Sequence, residues 1–335
     1  MSRIGIGIPV RNGEKYIREA IESALNQTEI ADEILLVINN STDASYDIAR
    51  SFLPLIRIVE DNSIDSIGAA WNAVFFHGTC DYIIVLHQDD LLYPEAVRTF
   101  KGMICSNDVL EIAFGRTNLI SKSGAVVRVN YIEENLPMEG EDYLYRTMKG
   151  FLPGCSGMLG KKEFILQNPF REDLNIILDV EFFIRVGWLT KAKINSEIIS
   201  AYRIHSESTF QSDVYRKREE DLVRWWELLE SGAIEVPSKL LLDYRACLFK
   251  FIITAFLHDL WSGRRDYVYS WLPFINASID KYPYLKSSSF TTRSYLLYSM
   301  VNSNNFGYGI ASSIAQVREK LRLALLKLKK HNIKS

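Results

Sequence analysis

Cysteine is scarce in this chain of 335 residues, which has four: Cys80, Cys105, Cys155 and Cys247. No two stand in a CxxC spacing and none lies in a histidine pattern, so buried free thiols are the better reading than a disulfide framework or zinc ligands. That usage favours a reducing compartment. Long apolar runs are also missing: the richest stretch, CLFKFIITAFLHDLW from Cys247 to Trp261, carries Lys250 and falls short of the roughly 20 residues that a spanning helix needs. The opening MSRIGIGIPV has no basic region ahead of a long apolar core, so it does not read as a secretory leader. These absences predict a cytoplasmic protein without a transmembrane segment. Excess charge of one sign is absent too: 39 Lys and Arg face 41 Asp and Glu, a net charge of −2, and no global field selects nucleic acid as a partner.

With 47% hydrophobic and 24% charged residues, the composition is that of a globular protein with a sizeable core. In the first half, short β-rich runs (IGIGIPV, EILLVI, LIRIVE, DYIIVLH) begin at Ile4, Glu33, Leu55 and Asp81. Helical patterns such as EKYIREAIESALNQ separate them. This alternation predicts strand, crossover helix and parallel strand units, and hence a doubly wound α/β sheet with its ligand crevice at the carboxyl ends of the strands. Three polar clusters fall at those ends: PVRNGE, NNSTDAS and HQDD. Beyond residue 110 the pattern mixes strands with helices. LDVEFFIRVGWL reads as a helix with Phe182, Phe183, Val186 and Leu189 on its apolar face. From about Asp213 onward the chain reads as mainly helical, which gives domains of 1–212 and 213–335.

The stretch YIIVLHQDDLLYP ends a strand with two adjacent carboxylates, Asp89 and Asp90. Such a pair repels by roughly 1 to 4 kcal/mol at contact distance in a surface-like dielectric, so it calls for a cation. A divalent metal with hard oxygen ligands, Mg²⁺ or Mn²⁺, is one solution. The other is that Asp90 caps a helix beginning near Pro94. The pair alone leaves both open.

Read in order, IPVRNGEKYIREAIESALNQT, VINNSTDAS, GAAWNAVFFHGTCDYIIVLHQDDLLYP, LDVEFFIRV and YRIHSEST resemble the inverting family-two glycosyltransferases of the GT-A fold, over about residues 4 to 210. The resemblance implies a GT-A-like doubly wound mixed sheet and a Mn²⁺- or Mg²⁺-dependent enzyme. It implies a nucleotide-diphospho-sugar donor, UDP- or dTDP-linked, and a saccharide or lipid-linked acceptor in surface polysaccharide or glycolipid synthesis by a bacterium.

Position by position, the resemblance places Pro9, Val10, Arg11 and Asn12 beside the nucleotide, with Asn72 among the nucleotide-binding residues. Asn39 stands where an acid often accepts the base N–H, and an amide can both donate and accept. Aligned on Pro94, His87, Gln88 and Asp89 fall on the family's Asp-x-Asp positions, so the first acid is a histidine. Asp89 then matches the metal carboxylate and Gln88 a position near ribose or phosphate. Asp90 and His205 join Asp89 as metal candidates, and Arg203 is assigned to the leaving diphosphate. Asp179 matches the last acid of the Glu-Asp motif and is the candidate base, with capping of its own helix as the alternative. Leu178 replaces the preceding Glu.

The last 25 residues, Ala311 to Ser335, carry a net +6 and leave −8 to the rest of the chain. Ile314, Val317, Leu321, Leu325 and Leu328 form one apolar stripe flanked by basic residues, a pattern suited to an anionic membrane surface. A terminal helix packed on its own domain, or on a second subunit of a homo-oligomer, fits the same pattern. Two other functional classes stay open. A nucleotidyltransferase calls for a Gly-rich basic loop after the first strand, where only Gly13, Arg11 and Lys15 are found. A non-catalytic sugar-nucleotide-binding scaffold would account for Ile38, His87 and Leu178 at positions that carry acids in the family.

Overall fold

The computed structural model describes residues 2–105, 110–129, 137–139, 155–187, 189–205, 214–286 and 298. It divides into two compact units, Met1–Asp221 and Leu222–Ser335. The boundary expected at Ser212 and the basic C-terminal helix lie outside the described residues, as does most of the segment from Asn130 to Phe170.

The first unit is built on one ten-stranded mixed sheet. β1 (Ile4–Val10), β2 (Glu33–Ile38), β3 (Arg57–Glu60) and β4 (Tyr82–Val85) are its parallel half, in the order β3-β2-β1-β4. The crossovers carry α1 (Ile17–Leu25), α2 (Ser45–Arg50) and α3 (Ile67–His77). The chain leaves β1 toward β2 on one side and reaches β4 on the other, so the strand order reverses at β1. Such a reversal opens a crevice at the strands' carboxyl ends. Pairing of Val10 with Ile38 and of Gly7 with Val85 aligns those ends along one edge.

Period-two alternation gives the sheet two cores. Ile4, Ile6, Ile8 and Val10 face α1 and α4 (Ala96–Cys105) in one apolar cluster. Leu35, Val37, Ile83 and Val85 face the other way, with Val74 and Phe75 of α3. The glycines of IGIGIPV explain the close approach of α3: a Cβ on Gly7 would stand 2.8 Å from Val74 Cβ.

The remaining strands are β5 (Leu91–Leu92), β6 (Ile112–Ser121), β7 (Val126–Val129), β8 (Pro137–Glu139), β9 (Met158–Lys161) and β10 (Lys191–Ile204). The sheet continues β4-β9-β6-β10-β5, with β9 antiparallel to β4 and β10 parallel to β6. β5 lies antiparallel on β10, Leu91 opposite Ala201 and Leu92 opposite Ser200. This short pairing carries the loop after β4 to the carboxyl end of β10. α5 (Lys162–Gln167) and α6 (Leu178–Val186) complete the second core layer, with Phe182, Phe183 and Val186 buried in it. Leu189 departs from the expected helix face: it lies beyond α6 and is 43% exposed. α7 (Val214–Glu230) runs from the first unit into the second.

The second unit is helical in its described residues, with α8 (Leu241–Trp261) and α9 (Arg265–Lys281). Trp225, Tyr244, Phe249, Phe256 and Trp271 fill its core. Buried Asp259 accepts from Trp271 Nε1 at 2.9 Å and pairs with Arg264 at 3.0 Å, so its charge is compensated. All four cysteines are free, and Cys105 is exposed where burial was expected.

Candidate active site

The loops after β1 and β2 are bolted together by side-chain bonds to backbone. Asn12, in the left-handed region at φ 52°, donates its N–H to Ser41 Oγ at 3.0 Å, and its Oδ1 accepts from Thr42 N at 2.8 Å. Gly13 N donates to Ser45 Oγ at 2.7 Å and Glu14 N to Asp43 Oδ2 at 2.9 Å. NNSTDAS is therefore a scaffold for the PVRNGE loop as well as a turn. Pro9 and Val10 are buried, and Val10 O accepts from Asn39 N at 2.9 Å. Asn39 is 2% exposed, and its Oδ1 is a buried acceptor without a hydrogen-bond partner among the described residues.

The loop after β4 locks onto β1 through Gln88. Its Oε1 accepts from Arg11 N at 2.8 Å and its Nε2 donates to Arg11 O at 3.1 Å. A Cβ on Gly13 would lie 2.7 Å from that Oε1, so a larger residue there would displace the Gln88 amide. Gln88 thus braces the PVRNGE loop, with its amide engaged on backbone.

Asp89 and Asp90 do different work. Asp89 Oδ2 lies 2.9 Å from His205 Nε2, and its side chain is 24% exposed. Asp90 is wholly buried: Oδ1 accepts from Arg203 N at 2.8 Å, while Oδ2 stands 3.6 Å from His87 Nδ1 without a hydrogen bond. Desolvation, and then the charge of Asp89, raise its pKa well above the ordinary carboxylate range. Desolvation likewise lowers that of His87, against the pull of Asp89. Both shifts favour uncharged forms. Of the expected metal residues, Asp89 and His205 come together and Asp90 does not; nor does Asp90 cap α4, whose Val97 N instead donates to Gln27 Oε1 at 3.1 Å. His87 stacks on Trp71, ring centroids 4.8 Å apart, and Trp71 meets Phe170 edge-on.

Arg203 was expected at the leaving diphosphate. It is 1% exposed, and its guanidinium is consumed by the fold: Nε donates to Asp89 O at 2.8 Å, Nη1 to Lys122 O at 3.2 Å and Nη2 to Glu19 Oε2 at 2.7 Å. The same group lies over the Tyr16 ring at 4.6 Å. Arg203 ties α1, the Asp89 loop and β10 together, with each guanidinium nitrogen committed to one of them or to Lys122 O. Asn72 is similarly engaged, bonding Phe170 through both ends of its amide and Glu172 Oε1 at 3.1 Å.

Asp179 sits in the first turn of α6, half-buried, with Oδ1 accepting from Val180 N at 2.8 Å. Desolvation, opposed by that N–H, raises its pKa to about 6. Glu181 points elsewhere: it is buried and paired with Arg185 Nε at 2.7 Å. Desolvation raises the Tyr202 hydroxyl pKa first, with smaller contributions in the same direction from the nearby Asp90, Asp89 and Asp179. The buried Cys155 thiol is raised by desolvation and then by Asp179 and Asp90.

Sequence reasoning missed Glu19, Tyr16, Trp71, Tyr202 and Cys155. Tyr202 adjoined a motif residue and was within reach; Glu19 looks like any charge on the outer face of an amphipathic helix.

A doubly wound mixed sheet with interlocked loops at the carboxyl ends of β1, β2 and β4 has the fold of GT-A glycosyltransferases. The family model for Glycosyl transferase family 2 matches residues 6–162 of the chain. A glycosyltransferase of Rickettsia felis, itself uncharacterised, is 28% identical over 241 residues, 71% of this chain and 40% of that protein. The chondroitin synthase of Pasteurella multocida is 24% identical over 209 residues, 62% of this chain and 21% of that protein. The chain thus spans well under two thirds of these relatives' length. Among solved structures, residues 1–349 of S. aureus TarS in complex with UDP-GlcNAc superpose with a TM-score of 0.68 at 13% identity, covering 95% of this chain and 92% of that one.

Proposed function

We propose that the chain transfers a sugar from a nucleotide-diphospho-sugar, UDP- or dTDP-linked, to a hydroxyl of a saccharide or lipid-linked acceptor, with inversion at the anomeric carbon. The observation that carries this reading is the 2.9 Å Asp89–His205 pair in the loops at the carboxyl ends of the strands. The likeness to TarS, whose complexes hold UDP-GlcNAc and UDP, supports the donor class. The buried Asn39 Oδ1 lacks a donor among the described residues, as an acceptor awaiting a base N–H would.

In this reading the acceptor hydroxyl attacks the anomeric carbon, the bond to the diphosphate oxygen breaks, and its electron pair leaves with the diphosphate. Asp179 takes the hydroxyl proton. A base whose pKa of about 6 lies near neutrality is ionised at pH 7 yet holds a proton better than an ordinary aspartate, which suits general-base work. The PVRNGE loop, held by Gln88 and NNSTDAS, presents a preformed wall to the nucleotide.

No cluster of three His, Cys, Asp or Glu able to hold a metal is found among the described residues. Asp89 and His205 nevertheless fit Mn²⁺ or Mg²⁺ as two protein ligands, because such ions take their remaining ligands from substrate phosphates and water. The ion would neutralise charge on the leaving diphosphate.

Among the described residues no helix is long and apolar enough to cross a membrane. We assign the acceptor step to the cytoplasmic face of a bacterial membrane, in surface polysaccharide or glycolipid synthesis. The basic C-terminal stripe would bind anionic lipid there.

Saturation-transfer NMR with UDP- and dTDP-sugars, with and without diamagnetic Mg²⁺, tests the reading. One donor class should bind, more tightly with metal, and lose the metal effect in Asp89→Asn. Absence of binding by every donor would overturn it.

A further inference from the structure

The turn that leads into α6 is held by a residue far along the chain. Asp221, on α7, is 1% exposed, and its carboxylate collects donors from three successive residues. Asn175 N lies 3.0 Å from both of its oxygens, and Asn175 Nδ2 is 3.0 Å from Oδ1. Ile176 N and Ile177 N reach Oδ2 at 2.6 and 3.3 Å. α6 has Ile177 at its N-cap, a side chain that cannot accept, so the helix has no local cap bond. Further into the first turn, Val180 N donates to Asp179 Oδ1 at 2.8 Å. Every backbone N–H from Asn175 to Ile177 therefore ends on one buried carboxylate supplied by a different helix.

We propose that Asp221 is a positioning residue for the sugar-transfer site: it fixes the turn 175–177 and so sets where Asp179 presents its carboxylate. The inference rests on the reading of Asp179 as base. A Ser or Asp at 177 would cap α6 from within, whereas the bond from α7 makes the base depend on the helix that leaves the first unit. The anion also opposes the positive end of α6, which favours it there. Asp221→Asn keeps the shape but turns an NH₂ toward a nest of N–H donors, so the turn must give way.

The test uses the full-length protein in three forms: unaltered, Asp221→Asn, and Asn175→Ala, which removes one exposed donor and keeps the three backbone bonds. Donor hydrolysis is followed over a panel of UDP- and dTDP-sugars with Mn²⁺, alongside amide hydrogen exchange. Asp221→Asn should lower kcat by about tenfold or more with donor KM changed less than about threefold, since a displaced base loses alignment and not donor contacts. Exchange at Ile176 and Ile177 should quicken at least about tenfold. Asn175→Ala should move both readouts the same way by about two- to fivefold. Unchanged exchange, or unchanged kcat despite faster exchange, would overturn the inference. So would equal losses in kcat and donor affinity. Lack of turnover by the unaltered protein would instead refute the transfer reading, and the exchange data would then still test the clamp.

Discussion

Replacing Asp179 with Asn should stabilise the protein above pH 6 while disabling it. Burial raises this carboxyl from 3.8 to about 6, so the folded state keeps its proton where the unfolded state has released it. In that window the unfolded chain binds fewer protons, and stability falls as pH rises. The loss begins near pH 4 and is complete somewhat above pH 6. A shift of about two units corresponds to about 3 kcal/mol at full weight. Asp179 is only half-buried, so solvent screening reduces this, and about 1 to 2 kcal/mol is the expected gain for the neutral amide at pH 8. Asn keeps an oxygen for Val180 N, so little is lost in exchange. Urea unfolding of both proteins from pH 3 to pH 8 measures the effect. The curves should coincide near pH 3 and separate by pH 7, with Asn the more stable. A variant that is less stable at every pH, or a gap independent of pH, would refute the reasoning.

Asp89→Asn should raise the Mn²⁺ concentration needed for turnover by about tenfold or more with little change in melting, because it removes the anionic member of the proposed metal pair while keeping the side chain's shape. Asp90→Ala should do the opposite: it strands the buried Arg203 N–H, costs about 1 to 3 kcal/mol of stability and leaves the metal requirement of the folded fraction unchanged. Gly13→Ala forces Gln88 off the Arg11 backbone and should weaken donor binding measured by calorimetry, with kcat affected less. Cutting after Gly309 should release the protein from anionic vesicles in a flotation assay while donor hydrolysis persists; dimer loss or unfolding would favour the packing alternative.

The parallel half of the sheet was legible because each strand is a short apolar run with a polar cluster at its carboxyl end. The Asp89 loop was legible as chemistry for the same reason: two acids at a strand end have few structural uses. The division of labour between those acids was not. Which carboxylate faces the crevice depends on the β5–β10 pairing, a contact between residues more than 100 positions apart that no local period encodes. Arg203 was read as a phosphate ligand because it is a cation beside a motif, whereas its partners Glu19 and Lys122 come from distant elements. Asp221 lies in a helix that reads from sequence as an ordinary charged segment, and only the fold brings it to the turn before Asp179.

The central claim is that Asp179 takes the acceptor proton in an inverting transfer from a nucleotide-bound sugar. It is tested most directly by proton NMR of the products formed from a consumed donor and a saccharide acceptor, by the unaltered protein and by Asp179→Asn. The account predicts a new glycosidic bond of anomeric configuration opposite to the donor's. It also predicts that Asp179→Asn binds donor normally and forms that product at least about 100-fold more slowly. Retained configuration, or near-normal transfer by Asp179→Asn, would contradict it.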